Sequence, residues 1–285
     1  MKLLLTGGRG FIGNYFQNKY VTKYNIKTFS FQKDSIESLK LKNIDTIIHL
    51  SALVHQMGGA DKKEYFRINV DNTLTLAHQA KQSGVKHFVF MSSVKVYGEE
   101  TDTPYTEDTV CHPQDDYGLS KLEAEQKLKK LEDENFIISI IRTPIVYGHG
   151  VKANIKNLVG LVQKVPVLPF GNIKNRRSMV YIGNICYLMD QVIRQQKSGI
   201  FLASDDRPLS TTKLIQLIAK ELNKNIFLIQ IPFFKTLLKT MKPSFYKRLY
   251  ESLEIDNINT IGKLNLKNPY STEQGIHIMI HGEET

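Results

Sequence analysis

The sequence has few of the features that mark secreted, membrane-spanning or metal-binding proteins. Its only two cysteines, Cys111 and Cys186, fit neither a zinc site nor a disulfide framework, which suits a reducing cytoplasm. No run approaches the roughly 20 apolar residues of a membrane span, and the opening MKLLL meets Gly7 too early for a signal peptide. We therefore expect a cytoplasmic protein with no metal and no stable membrane insertion.

The chain also lacks the pattern of a nucleic-acid-binding protein, although its net charge is +10 at pH 7. No basic run carries interleaved aromatic residues at the density of such a surface. A basic surface also attracts anionic small molecules, and a solvated lysine-rich surface is the simpler alternative. One basic stretch, 232–250, is amphipathic in places and raises peripheral membrane contact as a further hypothesis, although Pro243 interrupts its helix.

Apolar runs and helical segments alternate along the first half of the chain. Strands are predicted at 2–6, 26–31, 45–50, 86–91 and 136–141, and helices near 11–20, 61–82 and 117–134. This alternation predicts an α/β fold, a Rossmann-type doubly wound parallel sheet. The regular pattern stops after Pro144. We expect a dinucleotide-binding domain of 1–146 plus about 176–204, and a smaller C-terminal substrate lobe of about 147–175 plus 205–285.

A glycine-rich turn follows the first predicted strand. The string TGGRGFIG places Gly7, Gly10 and Gly13 three residues apart, and the helical stretch from Phe11 and Ile12 follows. Glycines let the backbone turn tightly and approach a pyrophosphate, whose charge the helix N-terminus meets. An ordinary strand-to-helix turn is the alternative, but the position after the first strand favours a nucleotide site.

Tyr117 and Lys121 are the candidate catalytic residues, together with Ser93. Four residues apart on a helix, the phenol and the ammonium share a face, and Ser93 closes the strand-like run HFVFMSS. An ammonium beside a phenol favours the phenolate, so we expect Lys121 to lower the pKa of Tyr117. Such a phenol can exchange a proton with a sugar oxygen.

The cofactor preference depends on the end of the second predicted strand. An NAD enzyme usually has an acidic residue there, but this strand ends in Ser30 and Phe31 and is followed by Lys33. Arg9, in the glycine turn, could reach a 2′-phosphate. These residues favour NADP(H), while Asp34 keeps NAD(H) open.

Several segments together resemble the extended short-chain dehydrogenase/reductase (NAD-dependent epimerase/dehydratase) family, which acts on nucleotide-activated sugars. They are TGGRGFIG, HLSALVH, RINVDNTLTLAHQA, FVFMSSVKVYGE, YTEDTVCHPQDDYGLSKLEAEQ and IIRTPIVYG. The later segments GVKANIKNLV and NIKNRRSMVYIGNI resemble a bacterial subgroup of UDP-sugar 4-epimerases and UDP-4-keto-6-deoxyhexosamine 4-reductases. The resemblance implies a UDP-sugar substrate and a role in capsule or O-antigen precursor synthesis.

Two positions at which this chain differs from neighbouring subfamilies reduce the number of reactions that it is expected to catalyse. The family's 4,6-dehydratases carry an Asp-Glu pair where this chain has Val94 and Lys95, and its 3,5-epimerases carry a cysteine at the position of Lys95. Cys111 lies elsewhere and is interpreted as a packed thiol. Two reactions remain: reduction of a 4-keto sugar, which we favour, and 4-epimerisation with a tightly bound NAD. A non-catalytic cofactor-binding regulator is a remote third hypothesis.

The resemblance also implies the remaining site residues and a homodimer. Further cofactor contacts are expected at Leu50, Ser51, Ala52 and Pro144, and substrate contacts at Val54, Ser93, Lys95, Tyr117, Asn154 and Arg177. Ile145 stands where many relatives have asparagine. Asn69 is expected to bridge to the cofactor loop, and His49 and His55 to pack or form hydrogen bonds. The dimer would pair the helices 61–82 and 117–134. The first has more apolar residues than one buried stripe requires, whereas charged residues crowd the faces of the second around its leucines.

Overall fold

The computed structural model describes residues 1–54 and 61–282, which form a mixed α/β structure. Its strands are β1 (Lys2–Thr6), β2 (Asn25–Phe29), β3 (Thr46–His49), β4 (His87–Ser93), β5 (Ile137–Thr143), β6 (Ile145–Tyr147), β7 (Val167–Leu168), β8 (Met179–Tyr181), β9 (Gly199–Leu202) and β10 (Phe227–Leu228). Its α-helices are α1 (Phe11–Tyr20), α2 (Lys62–Phe66), α3 (Asn72–Gln82), α4 (Asp116–Lys129), α5 (Ala153–Lys164), α6 (Ile182–Gln195), α7 (Thr211–Glu221), α8 (Phe234–Met241), α9 (Pro243–Tyr250), α10 (Ile258–Leu264) and α11 (Thr272–His281). A π-helical turn, Arg67–Asp71, joins α2 to α3.

The main sheet is parallel throughout, in the order β2-β1-β3-β4-β5-β9. Its central strands are apolar because helices cover both faces; Leu3, Leu4 and Leu5 of β1 are all buried. The predicted α/β class and doubly wound parallel sheet are confirmed. The sheet also includes β9, which the regular alternation of the first half does not reach.

The glycine turn lies where the strand order reverses, between β1 and β3. Gly7 has a φ of +71°, and a Cβ placed on it would lie 2.8 Å from the Ser51 backbone nitrogen. A Cβ on Gly13 would lie 2.4 Å from the Gly7 carbonyl oxygen. Only glycine permits these two approaches, which bring the start of α1 and the end of β3 against the end of β1.

The C-terminal part adds helices and two short parallel strand pairs, β6–β8 and β7–β10. One hydrophobic cluster joins it to the sheet, since Leu5 and Ile48 belong to the same cluster as Leu214 and Ile218 of α7. The division into a dinucleotide-binding domain and a substrate lobe therefore remains a prediction. No helix in the described ranges is long and apolar enough to cross a membrane.

The helices expected to form a dimer bury most of their apolar residues within the chain. Val70, Leu76 and Ala77 belong to a cluster with the sheet, as does Leu128 of α4. No large apolar side chain of 62–82 or 116–129, both fully described, is exposed. The apolar excess read from the sequence is therefore accounted for by the chain's own core, and the homodimer remains a prediction.

The close approach at Gly13 predicts a clear effect of one methyl group. Gly13→Ala places a Cβ against backbone that cannot rotate away, so we expect a lower melting temperature and weaker nucleotide binding. Gly160→Ala in α5 is the matched control, because a Cβ there meets nothing within 4 Å. The control should keep nucleotide affinity and gain about 0.5–1 kcal/mol of stability from better helix propensity. Thermal melting and nucleotide titration of both variants test this; equal behaviour would contradict it.

Candidate active site

A cleft of about 930 Å³ opens at the carboxyl ends of β1, β2, β3 and β4. It is lined by nearly all the residues that the sequence assigns to the cofactor: Gly7, Arg9, Gly10, Phe11, Ile12, Gly13, Ser30, Lys33, Leu50, Ser51, Ala52, Tyr117 and Lys121. Pro144 is the exception. It is buried, and its neighbours Thr143 and Val146 line the cleft.

The phosphate-binding end of the cleft is the N-terminus of α1. Gly10 is its N-cap and supplies no side-chain cap, and the first turn contains no acidic residue. The first backbone N–H groups are therefore available to an anion, and the partial positive charge of the helix end is not neutralised. The Gln17 amide braces the turn by donating to the carbonyls of Gly8 (2.7 Å) and Gly13 (3.1 Å). These features fit a dinucleotide pyrophosphate.

The part of the cleft beside the end of β2, here called the ribose end, is lined by Ser30, Lys33 and Asp34, and Arg9 of the glycine turn also lines the cleft. The Asp34 carboxylate accepts a hydrogen bond from the Ser30 backbone N–H at 3.0 Å, which stabilises the turn of residues 30–34. Arg9 and Lys33 are exposed. Two exposed cations therefore line the cleft, while the carboxylate of Asp34 is engaged with backbone.

The three candidate catalytic residues come together at the carboxyl end of β4. Ser93 is the last residue of β4, Tyr117 lies in the first turn of α4, and Lys121 lies one turn further. The Ser93 hydroxyl lies close enough to the Tyr117 phenol to lower its pKa. The Tyr65 ring lies 6.2 Å from the Tyr117 ring, centroid to centroid, and forms part of the wall.

The charge relation between Lys121 and Tyr117 differs from the sequence prediction. Burial raises the pKa of Tyr117 to about 12, and the Ser93 hydroxyl offsets this only in part. The Lys121 ammonium donates to the Met91 carbonyl at 2.8 Å and lies 4.4 Å from the centre of the Phe90 ring. The ammonium of Lys121 thus contacts strand β4, and for this reason it does not lower the pKa of the Tyr117 phenol.

Lys121 is itself strongly perturbed. Its burial lowers the pKa of the ammonium to about 7, although the charge of Glu125 opposes the shift. Glu125 lies one turn beyond Lys121 on α4 and is 1% exposed. The Arg142 guanidinium of β5 contacts its carboxylate at 2.5 Å, and the Ser92 hydroxyl donates to the same carboxylate. The sequence analysis missed this buried group, although the Tyr-x₃-Lys-x₃-Glu spacing puts all three residues on one helix face.

Lys95, a predicted substrate contact, forms ion pairs within the chain, and its contact with the substrate remains a prediction. Its ammonium contacts Glu99 at 2.9 Å and also pairs with Asp115. Asp115 is the N-cap of α4 and accepts from the Gly118 N–H at 2.7 Å. Two partly buried carboxylates thus hold the lysine, and the pair with Asp115 ties the start of α4 to the residues that follow β4.

Residues read as structural from the sequence have structural contacts. The Asn69 amide exchanges two hydrogen bonds with the Leu53 backbone, at 2.8 and 3.0 Å, and so bridges to the cofactor loop. His49 contacts the Thr6 and Thr73 hydroxyls, and burial lowers its pKa to about 3. Burial raises the pKa of the Cys111 thiol, as expected for a packed group. His55 lies outside the described residues.

A second pocket, of about 360 Å³, lies on the far side of β6. Val146 lines the cofactor cleft, while its neighbour Ile145 lines this pocket, because successive strand residues face opposite ways. Asn154 and Arg177, both predicted substrate contacts, line it as well, and Val54 lines the cofactor cleft.

Arg248 of α9 is a further cation in this pocket, which the sequence analysis missed. Its guanidinium lies 3.4 Å from the Asn154 side-chain oxygen. Arg177 donates to the Glu251 carbonyl at 3.0 Å, and burial lowers its pKa, with Arg248 adding to the effect. Two cations in a largely apolar pocket suit an anionic ligand that also has an uncharged part.

Comparison with known proteins assigns the family. The model of the NAD dependent epimerase/dehydratase family matches residues 3–202. The chain belongs to this family. A UDP-glucose 4-epimerase from Vibrio cholerae is 35% identical over 96% of this chain and 92% of its own length. The resemblance read from the sequence is thereby confirmed, and the chain is an NAD(P)-dependent enzyme of the epimerase and reductase type.

Solved structures share the fold. A UDP-glucuronic acid 4-epimerase from Bacillus cereus, in complex with NAD, superposes with a TM-score of 0.80 at 18% identity, covering 99% of this chain and 98% of its own. RMD from Pseudomonas aeruginosa, complexed with NADPH, gives a TM-score of 0.79 at 17% identity, with the same coverage. Because both cofactors occur on this fold, the choice between them depends on the residues of the ribose end.

The perturbed ammonium predicts a pH-dependent stability. The pKa of Lys121 falls from 10.5 to about 7 on folding, so between these values the unfolded chain binds more protons than the folded one. Burial of the charged ammonium therefore lowers the free energy of unfolding by its largest amount below about pH 7, and by progressively less as the pH rises towards 10.5. In nucleotide-free protein, Lys121→Met should be more stable than the parent at low pH, and this advantage should shrink towards pH 10.5.

Urea denaturation across this pH range measures the difference. Lys127→Met is the control, since that side chain lies on the same helix and is 44% exposed. A Lys121→Met difference that does not change with pH would contradict the prediction.

Proposed function

We propose that the enzyme is an NADPH-dependent 4-reductase acting on a UDP-4-keto-6-deoxy-N-acetylhexosamine in surface polysaccharide precursor synthesis. The main support is the ribose end of the cleft, where Lys33 is exposed and Asp34 is engaged with its own turn, together with the exposed Arg9 of the glycine turn. A 2′-phosphate suits such cations better than a free 2′-hydroxyl does. A reductase consumes its cofactor at every turnover, whereas an epimerase keeps it.

The state of Tyr117 is consistent with reduction. A bound reduced nicotinamide would supply hydride to C4 of the sugar. With a pKa of about 12, the Tyr117 phenol carries its proton at neutral pH and can donate it to the oxygen at C4. Ser93, beside the phenol, would stabilise the charge that develops on the same oxygen. An epimerase must instead begin by removing a proton.

The second pocket would hold the UDP part of the substrate. Arg177 and Arg248 would bind the diphosphate, with Asn154 beside them, and the apolar wall would take the base. Ile145 cannot donate the hydrogen bond expected of the asparagine that many relatives carry there. We propose that Arg248 provides the missing polar contact. A cytoplasmic location and a homodimer complete the proposal.

UDP-sugar 4-epimerisation is the second candidate, favoured by the 35% identical relative named as an epimerase. It would use Ser93, Tyr117 and Lys121 in both directions, with the keto sugar rotating between the two steps. Tightly retained NAD would be its signature.

An assay with both kinds of substrate separates the candidates. With a UDP-4-keto-6-deoxy-N-acetylhexosamine, we expect loss of NADPH absorbance, faster than with NADH, and no comparable epimerisation of UDP-N-acetylglucosamine or UDP-glucose. Tyr117→Phe should lower turnover by about 10²–10³ or more while binding NADPH normally, because it removes only the hydroxyl. Epimerisation without added cofactor, and NAD released from denatured protein, would replace the reductase with the epimerase.

A further inference from the structure

The last turns of α7 and α11 bring together three metal-ligating side chains far in sequence from the catalytic residues. Glu221, His277 and His281 each present one donor atom, and these atoms lie within 4.8 Å of one another. The Glu221 Oε2 lies 2.7 Å from His277 Nδ1 and 3.5 Å from His281 Nε2. The histidines are four residues apart on α11, and their ring centroids are 4.7 Å apart.

This arrangement matches the demands of a transition-metal ion. Two imidazole nitrogens and a carboxylate oxygen are a common three-ligand set for Zn²⁺, at about 2.0–2.1 Å from the metal, with a fourth position for water. Tetrahedral ligands at that distance are about 3.3 Å apart. The Glu221–His281 separation of 3.5 Å is close to this value, and the Glu221–His277 separation of 2.7 Å is shorter. The imidazoles are partly exposed, so rotation of the side chains can bring the three donor atoms around one ion.

We propose that Glu221, His277 and His281 form a binding site for a divalent transition metal, with Zn²⁺ as the representative ion. The ion would replace the proton shared between His277 and Glu221 and would tie the end of α7 to the end of α11. Both helices pack in the hydrophobic cluster shared with the sheet. The site is therefore structural, and it lies apart from the cofactor cleft.

Equilibrium dialysis of the full chain against Zn²⁺ tests the site, with bound metal measured by atomic absorption. We expect one equivalent bound and a rise in melting temperature. His281→Ala and Glu221→Gln should each weaken binding by about 10–100-fold and abolish the rise. His78→Ala, an exposed histidine on α3, is the control and should change neither. Undiminished binding by His281→Ala, or no binding by the parent protein, would overturn the proposal.

A second, independent feature is an exposed apolar stripe that begins at Phe233, the N-cap of α8, and runs along α8 into α9. Phe233, Leu237 and Met241 follow one another at four-residue intervals, and Phe245 continues the series into α9. Their exposed fractions are 85%, 54%, 70% and 43%. Large apolar side chains this exposed and this regularly spaced are typical of a surface that meets a partner.

The charges around the stripe indicate the partner. Between Glu221 and Glu251 the sequence has no acidic residue and six cations: Lys224, Lys235, Lys239, Lys242, Lys247 and Arg248. The ammonium groups of Lys235 and Lys239 lie over the Tyr246 ring, at 5.9 and 5.7 Å from its centre. Apolar side chains flanked by lysines, with aromatic rings beside them, are suited to an anionic lipid surface.

We infer that α8 and α9 dock on the surface of an anionic bilayer. The apolar stripe would enter the headgroup boundary while the lysines meet lipid phosphates. Helices of 8 residues each cannot span a membrane, so the contact is peripheral and reversible. Phe245 and Arg248 also line the substrate pocket, so the docking face borders its mouth.

Co-sedimentation with vesicles tests the inference. We expect binding to vesicles containing phosphatidylglycerol, loss of binding at high salt, and little binding to pure phosphatidylcholine. Phe233→Ser/Met241→Ser should lose most of the binding, whereas Val21→Ser/Val110→Ser, at 68% and 85% exposed positions elsewhere, should retain it. Circular dichroism verifies folding. Equal binding by the stripe variant, or self-association of the chain through the stripe without lipid, would overturn the inference.

Discussion

The burial of one charge, the Lys121 ammonium, is the constraint around which the catalytic region is organised. At 2% exposure it loses most of its hydration and needs partners within reach. The Met91 carbonyl and the Phe90 ring, both of β4, supply them directly, and Glu125 supplies an opposing charge one turn away. Arg142 of β5 in turn neutralises Glu125. The position of α4 over the sheet thus follows from the need to compensate the buried charges of Lys121, Glu125 and Arg142.

Because α4 is held in this way, Tyr117 is presented at a fixed point above the end of β4. Lys95 and Asp115 secure the start of the helix, and the Asn69 amide contacts the Ser120 hydroxyl at 3.0 Å from the side of the cofactor loop. The π-helical turn that carries Asn69 interrupts an otherwise continuous helix, as such turns often do near functional sites. The phenol and Ser93 can therefore act as a preorganised donor pair, with little reorganisation needed during the reaction.

The C-terminal part adds the second pocket, which is lined by the cations Arg177 and Arg248 and lies apart from the glycine turn. Strand β6 separates the two sites, and its alternating residues serve one each. The same region has two surface features that the reaction does not use, the histidine pair on α11 and the apolar stripe of α8 and α9. The helices that carry these two features pack on the core with one face and present the other face to the surface.

The sequence by itself determined the α/β class, the glycine turn and the candidate group of Ser93, Tyr117 and Lys121. These depend on local spacing: apolar runs, glycines before a helix, and a one-turn interval. It also predicted the bridging role of Asn69. Only the tertiary structure decided the charge states, since the pKa of Tyr117 and of Lys121 depends on burial and on which neighbour the ammonium reaches. Several features join residues that are distant in sequence, or depend on which side chain pairs with a buried charge. They are the partners of Lys95, the Glu125–Arg142 pair, the position of β9 beside β5, the entry of Arg248 into the second pocket and the Glu221–His277–His281 cluster. Spacing along one chain cannot resolve such pairings, because desolvation and distance are properties of the folded molecule.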